Sequence, residues 1–286
     1  MSRFSDLKDK AFQSLVQDVL EEYEKRAITE DNEDVNLNHI SHYKDKALEI
    51  AINPYKIRGL ATGYEGLDKF LCGLDKGELT AIAADTSVGK TLFTLNLINQ
   101  AYKSQLFSTL YISLDTAIVN VCSRFFQMDE DPDARPIYFY DNTHGISLEK
   151  VKKAMVKCKE DNGLDLVVVD MLNSLVRSVQ HQTNEMASVA LKLRELALEL
   201  NVHVIVLCHV TKEASSRREP VPHYSQIKDS SAVAQDSDMV IMLGRDNLDP
   251  TVRDQMIVSI QKNRNKGRTG NITMRINWQT LIMEEI

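Results

Sequence analysis

The chain has little of what fastens or anchors a protein from outside its own core. Its 286 residues include four cysteines, Cys72, Cys122, Cys158 and Cys208, at wide spacing. No C-x-x-C pair or Cys/His cluster stands among them, which argues against a zinc site. Each cysteine reads as a reduced, partly buried small hydrophobe. No apolar run approaches the ~20 residues a membrane helix needs. The opening segment MSRFSDLKDKAF mixes acids with bases, unlike a signal or transit peptide. A cytoplasmic protein with no membrane partner is the expectation. The net charge of −7 argues against a general nucleic-acid coat, yet leaves room for a local basic groove, because binding follows charge placement. Aromatic residues are only 6% of the chain, and near the basic segments Tyr224 stands alone, so no stacking platform for single strands is evident.

What is present suits a globular core: 43% hydrophobic and 26% charged residues. The length fits one large domain with a small appendage. In residues 2–26, Phe4, Leu7, Ala11, Phe12, Leu15, Val19, Leu20 and Tyr23 share one face at helical spacing. This helix either packs on its own domain or is an arm that docks on a neighbour. Residues 27–38 are polar and acidic and read as a linker. A second helix over about 39–52 should end at Asn53-Pro54, since proline cannot continue the hydrogen-bond ladder.

From residue 59 strand-length apolar runs alternate with amphipathic helices. Strands are expected at 79–84, 108–114, 137–140, 166–170 and 202–208. Helices are expected at 89–104, 116–128, from the Ser147 cap to about 160, and at 184–200. The expected fold class is therefore α/β, a mainly parallel central sheet flanked by helices. After Met239 come strands without helices (239–243, 255–262, 270–276, 280–284), which suggests a C-terminal antiparallel extension.

The segment Ala84-Asp85-Thr86-Ser87-Val88-Gly89-Lys90-Thr91 sits between a buried strand and a helix, the setting a phosphate-binding loop requires. Its backbone N–H groups would wrap phosphate oxygens at a helix N-terminus. Lys90 would reach the β- and γ-phosphates of ATP or another nucleoside triphosphate, and the Thr91 hydroxyl would ligate Mg2+. Alanine at position 84 breaks the strict glycine pattern. Leu166-Val167-Val168-Val169 ends in Asp170, an acid at a parallel strand's C-terminal end, where it would hold Mg2+ through water. A strand-ending turn aspartate is the plain alternative. Asp115 ends another apolar run and is a candidate general base, or again a turn residue. His209 ends a third, where it could hydrogen-bond the γ-phosphate or be a satisfied core histidine.

Lys262, Arg264, Lys266 and Arg268 lie within seven residues. They could bind nucleic-acid phosphates, enter a neighbour's nucleotide site, or be a solvated turn. Residues 211–235, with Lys212, Arg217, Arg218 and Lys228, form a polar stretch of the length that is commonly functional.

Taken in order, these motifs resemble the motor domain of DnaB-like replicative helicases. Gly59-Leu60-Ala61-Thr62-Gly63-Tyr64, Leu67-Asp68 and Gly73-Leu74-Asp75-Lys76-Gly77-Glu78-Leu79 resemble its entry. Ala84 to Thr91 matches the A-x-P-S-x-G-K-[ST] variant, so the missing glycine supports the likeness. Asp170-Met171-Leu172-Asn173 resembles D-Y-L-Q. Gln226-Ile227-Lys228-Asp229-Ser230-Ser231 through Gln235-Asp236-Ser237-Asp238 resembles D-L-R-E-S-G…Q-D-A-D. Lys262-Asn263-Arg264-Asn265 with Gly267 and Gly270 resembles K-Q-R-N-G-x-x-G.

The resemblance implies a RecA-like P-loop NTPase core over 59–286, preceded by an N-terminal helical arm over 1–58 that docks on the next subunit. It further implies a hexameric ring moving 5′→3′ on single-stranded or forked DNA, with a primase or helicase loader as further partners. Lys262 and Arg264 would be the fingers inserted in trans, and Lys228, Asp229 and Ser231 would face DNA. Three departures stand out. Asp115 is one methylene shorter than the family's catalytic glutamate, His209 replaces the usual glutamine, and Ser231 replaces a loop glycine. With only ~58 residues before the motor, a minimal, phage-type form lacking the collar or primase domain is expected. A RecA-like ATPase that acts in recombination, or as a regulatory or loading factor, is the competing expectation.

Overall fold

The computed structural model describes residues 37–129, 131–140, 146–176, 182–211, 220–228, 231–246 and 249–286. The helix expected at 2–26, most of the 27–38 linker, Lys212, Arg217, Arg218 and Asp229 lie outside them. The chain divides into two compact units, Met1–Pro54 and Tyr55–Ile286. In the first, a 3-10 turn, Ile40–Tyr43, leads into α1 (Lys44–Ile52), which stops at Asn53 before Pro54.

Among the described residues, the second unit is built on nine strands. They are β1 (Leu79–Ala84), β2 (Thr109–Ser113), β3 (Ile137–Phe139), β4 (Leu166–Asp170), β5 (His203–His209), β6 (Met239–Gly244), β7 (Gln255–Asn263), β8 (Gly270–Ile276) and β9 (Met283–Glu285). They form one sheet in the order β3-β2-β4-β5-β1-β6-β7-β8-β9. β1 and β4 are buried along their whole length, which is why they read as unbroken apolar runs rather than alternating ones. Each fully buried valine in Val167–Val169 contributes about 2 kcal/mol of burial free energy.

The helices described in this unit are α2 (Glu65–Leu71), α3 (Lys90–Tyr102), α4 (Ile118–Met128), α5 (Leu148–Asn162), α6 (Gln182–Leu200) and α7 (Ser231–Asp236). They cover both faces of the sheet. Phe93 and Leu97 of α3, Val121 and Phe125 of α4 and Leu67 of α2 join one core. Val151 and Met155 of α5, Met186 and Leu193 of α6 and Val233 of α7 join the other. The Ser147 hydroxyl caps α5 by accepting from the Lys150 N–H, as its sequence position suggests.

The antiparallel extension begins one strand later than the sequence indicates. β6 runs parallel to β1, and the reversal comes at β7, which pairs antiparallel with β6. A parallel β6 requires a crossover connection. The short α7, at the end of the polar stretch 211–235, supplies part of it. The last strand starts at Met283 rather than 280, because the Asn277 side chain accepts from the Gln279 and Thr280 N–H groups and holds a turn there.

Candidate nucleotide-binding site

The C-terminal ends of four adjacent strands, β2, β4, β5 and β1, lie side by side, with Ser113 level with Asp170 and Ala84 level with His209. Asp115, Asp170, His209 and the loop after Ala84 therefore converge at one edge, where ligands bind in open α/β sheets. In that loop Ser87 (φ 66°) and Gly89 (φ 114°) both adopt left-handed backbone. Two such residues around Val88 curl the chain into a concave nest of N–H groups. Gly89 is also the N-cap of α3, and a Cβ there would lie 3.0 Å from Met256 Cε and 3.4 Å from an Arg245 nitrogen. Position 89 therefore requires glycine on conformational grounds, since both neighbours are ends of flexible side chains.

An open cavity of about 340 Å³ lies over this nest, lined by Ser87, Gly89, Lys90, Thr91, Asp115 and His209, among others. Lys90 is buried, and its ammonium donates to the Ala84 carbonyl (2.9 Å), the Asp85 carbonyl (3.1 Å) and His209 Nδ1 (3.4 Å). Burial pulls its pKa down, opposed by Asp170, Asp85 and Asp115 among other groups. An ammonium can only donate, so His209 Nδ1 accepts and the imidazole proton sits on Nε2. Burial, then the Lys90 charge, lowers the His209 pKa and favours this neutral form. His209 is thus equipped as a hydrogen-bond donor through Nε2.

Thr91 Oγ1 donates to Asp170 Oδ2 at 2.8 Å, and Tyr111 donates to the same oxygen at 2.7 Å. Burial pushes the Asp170 carboxyl up, while these two hydroxyls pull it back. A hydroxyl beside a carboxylate is a hard oxygen pair of the kind Mg2+ takes together with phosphate oxygens. Among the described residues no group of three or more His, Cys, Asp or Glu side chains could hold a metal by itself. A divalent ion here would draw its remaining ligands from the nucleotide and water.

Three further lining residues escape sequence reasoning: Arg124, Arg245 and Trp278. The Arg245 guanidinium stacks over the half-exposed Trp278 ring at 4.9 Å, forming a flat wall beside the phosphate nest. Only the end of β6, one strand from β1, could have drawn attention to Arg245.

The cationic segment that begins at the end of β7 lies elsewhere. Lys262 pairs with Val240 and Arg264 bonds to Asp238 at the opposite end of the parallel strands. Lys262 Nζ donates to the Ala234, Gln235 and Ser237 carbonyls at 2.7–2.8 Å. Arg264 donates to the Gln235 carbonyl and sits 3.7 Å from Asp238, with its side chain 47% exposed. Lys266 is withdrawn from solvent and paired with Asp75. Arg268 stacks on Tyr55. The cluster is thus not one uniform patch. Lys228 is exposed, and its backbone N–H bonds the His209 carbonyl at 2.8 Å. Ser231 begins α7.

A family model, the DnaB-like helicase C-terminal domain, matches residues 59–137 and 127–284. The chain belongs to this family. Among curated relatives, the replicative DNA helicase DnaC of Bacillus subtilis (strain 168) is 25% identical over 91% of this chain and 65% of its own. The replicative DNA helicase DnaB of Buchnera aphidicola subsp. Acyrthosiphon pisum is 29% identical over 77% of this chain and 55% of its own. The chain thus spans between about half and two thirds of the length of these relatives. Of solved structures, an isolated ATPase domain superposes with a TM-score of 0.78 at 21% identity, covering 88% of this chain and 100% of that one. A DnaB-like replicative helicase, described together with its interactions with primase, gives 0.76 at 20% identity, covering 96% of this chain and 76% of that one. The fold is that of the DnaB-like, RecA-type ATPase domain. Among the described residues no helix is long and apolar enough to cross a membrane.

Proposed function

We propose that the chain is the motor of a replicative DNA helicase, with residues 59–286 as the ATPase domain and 1–58 as an arm reaching a neighbouring subunit. One observation carries this reading. Lys90, Thr91, Asp115, Asp170 and His209 meet at one edge of the sheet, while Lys262 and Arg264 stand at the other. The first group, with Arg124 and Arg245 on the cavity wall, makes a triphosphate pocket, and the second makes a pair of cations with no pocket beside them. A ring of head-to-tail copies, a hexamer in this family, joins the two.

In the pocket, the nest and Lys90 hold the phosphates of ATP or another nucleoside triphosphate, and the Arg245–Trp278 wall offers a flat face to the base. Mg2+ bound with the nucleotide would offset the charge of its phosphates. Thr91 and Asp170 are its holders on the protein side. Asp115, exposed at the cavity wall, orients the attacking water and takes its proton. His209 Nε2 donates to the γ-phosphate, and its carbonyl bond to Lys228 links phosphate loss to the segment Lys228, Asp229 and Ser231 on the DNA side. Movement is 5′→3′ on single-stranded DNA, with primase or a loader as partners of the ring.

Lys90→Ala should abolish nucleotide binding and with it DNA-stimulated hydrolysis and unwinding of a forked duplex. A parent protein that binds no single-stranded DNA in low salt with Mg2+ and nucleotide would refute the helicase reading. Asp115 favours a second reading, a RecA-like ATPase with a tuned-down site that regulates or loads another helicase. Turnover measured with and without single-stranded DNA separates the two.

A further inference from the structure

Tyr111 lies fully buried on β2, with its ring 5.8 Å from that of Phe139. It faces Val168 across the β2–β4 pair, two residues short of Asp170. Its phenol therefore reaches along the strands to Asp170 Oδ2, at 2.7 Å. Thr91 Oγ1 converges on the same oxygen from α3, at 2.8 Å. Among the described residues these two hydroxyls are the side-chain donors to the carboxylate. They differ in one respect. Thr91 belongs to the phosphate loop and is committed to the nucleotide's cation, whereas Tyr111 is part of the sheet and lines no part of the cavity.

A carboxylate that must accept from metal-bound water is useful only in the correct rotamer, and a buried one with a single donor can rotate about its χ2. Two donors on one oxygen fix the plane of the carboxylate. We propose that Tyr111 is a positioning residue for the divalent cation of the nucleotide site, holding Asp170 in register whether or not Thr91 is engaged elsewhere. The proposal rests on the reading of this cavity as a Mg-nucleotide site. A phenylalanine would fill the same space and pack the same neighbours. Only the hydrogen bond would be lost, and releasing a carboxylate from the partner that orients it predicts metal affinity weaker by about tenfold.

The test is Tyr111→Phe in the full chain. Mn2+ affinity is read by electron paramagnetic resonance in the presence of a non-hydrolysable nucleotide analogue, and analogue binding in EDTA is read by fluorescence. The expected result is about tenfold weaker Mn2+ binding with analogue affinity in EDTA nearly unchanged, alongside a melting temperature lowered by a few degrees. Phe139→Leu, which disturbs the packing and leaves the phenol, should not move the Mn2+ affinity. Equal Mn2+ affinity in parent and Tyr111→Phe overturns the inference, as does an equal loss in Phe139→Leu. A parent that binds no metal–nucleotide at all overturns the site reading instead, and the inference with it. Should Tyr111→Phe not fold, tyrosine labelled at ring Cζ in the parent reports by nuclear magnetic resonance. The Tyr111 signal should shift on adding Mg2+ to the analogue complex, and an unmoved signal overturns the proposal.

Discussion

His203 gives the stability of this fold a pH dependence that can be worked from its surroundings. It begins β5, is fully buried, and bridges to the start of β1 through Thr80 Oγ1 at 2.9 Å. Its Nδ1 lies 2.7 Å from the Asp75 carbonyl. A carbonyl only accepts, so the proton is on Nδ1, and Nε2 accepts from the threonine hydroxyl. Both ring nitrogens are satisfied in the neutral form, and protonation would set a new N–H against the Thr80 hydroxyl inside the core. Burial, the largest influence, accordingly lowers the pKa from 6.5 to about 4, opposed by the Asp75 carbonyl and the Asp75 and Asp238 carboxylates.

The folded pKa lies below the unfolded one, so the unfolded chain binds the extra proton. Stability conferred by neutral His203 is complete above the unfolded value and drains away as pH falls from 6.5 toward 4. The loss amounts to about 2 kcal/mol by pH 5 and about 3 kcal/mol by pH 4. Burial also pushes up the carboxyls of Glu78 and Asp68, which add their own pH dependence. The comparison must therefore be differential. Urea unfolding of the parent and of His203→Gln at pH 7, 6 and 5 should show the parent losing about 2 kcal/mol more than the variant across that range. An equal loss in both proteins, or an imidazole that titrates near 6.5 in the folded state, refutes the reasoning.

Two further outcomes concern turnover. Asp115→Glu brings the carboxylate one methylene nearer the cavity and should raise ATP turnover by about fivefold, roughly 1 kcal/mol of barrier; a fall in rate would mean the site is already fitted to aspartate. Arg264→Ala should cut turnover by about 10³ with little change in melting temperature, since the half-exposed guanidinium has one close carbonyl partner. Lys262→Ala, which frees three carbonyls at the end of α7, should lower the melting temperature as well. Mixed rings of Arg264→Ala and Lys90→Ala subunits, assayed for recovered hydrolysis, check that the two act across a boundary.

The parts of the fold legible in the sequence are those whose signal is local. β1 and β4 are buried on both faces and so read as continuous apolar runs. Ser147 announces a cap, and Gly89-Lys90-Thr91 a bend from strand into helix. Strand direction is not local. β6 reads with the antiparallel strands because α7, at six residues, is too short for helical periodicity to show, and without it no crossover is visible. The site divides along the same line. Asp115, Asp170 and His209 each sit at or just past the end of an apolar run, and Lys90 opens the helix that follows one, patterns readable one strand at a time. Tyr111 and Trp278 matter through partners 59 and 33 residues away, Asp170 and Arg245, and nothing near them in the chain signals it. Lys266, one of four cations in a row, is buried against Asp75 because the fold brings a residue 191 positions distant to its side.

The reversal at β7 bears on the proposal that a neighbouring copy completes the nucleotide site. The phosphate loop leaves β1 at Ala84, and Arg264 bonds to Asp238, whose own N–H bonds to Leu79 at the start of that strand. The run from Leu79 to Ala84 spans roughly 17 Å of extended chain, and the loop then leads farther away. A half-exposed guanidinium anchored at Gln235 and Asp238 cannot cross that distance to its own pocket without dismantling the end of α7. Had β7 run parallel, its C-terminal cations would have emerged beside the loop and the subunit would close its own site. Running antiparallel, it carries them to the opposite end, where Arg264 stands half-exposed. On the proposed reading, a pocket at one end of the sheet and fingers for a neighbour's pocket at the other would define a heterologous, head-to-tail contact, and such contacts close into rings when the rotation between neighbours allows.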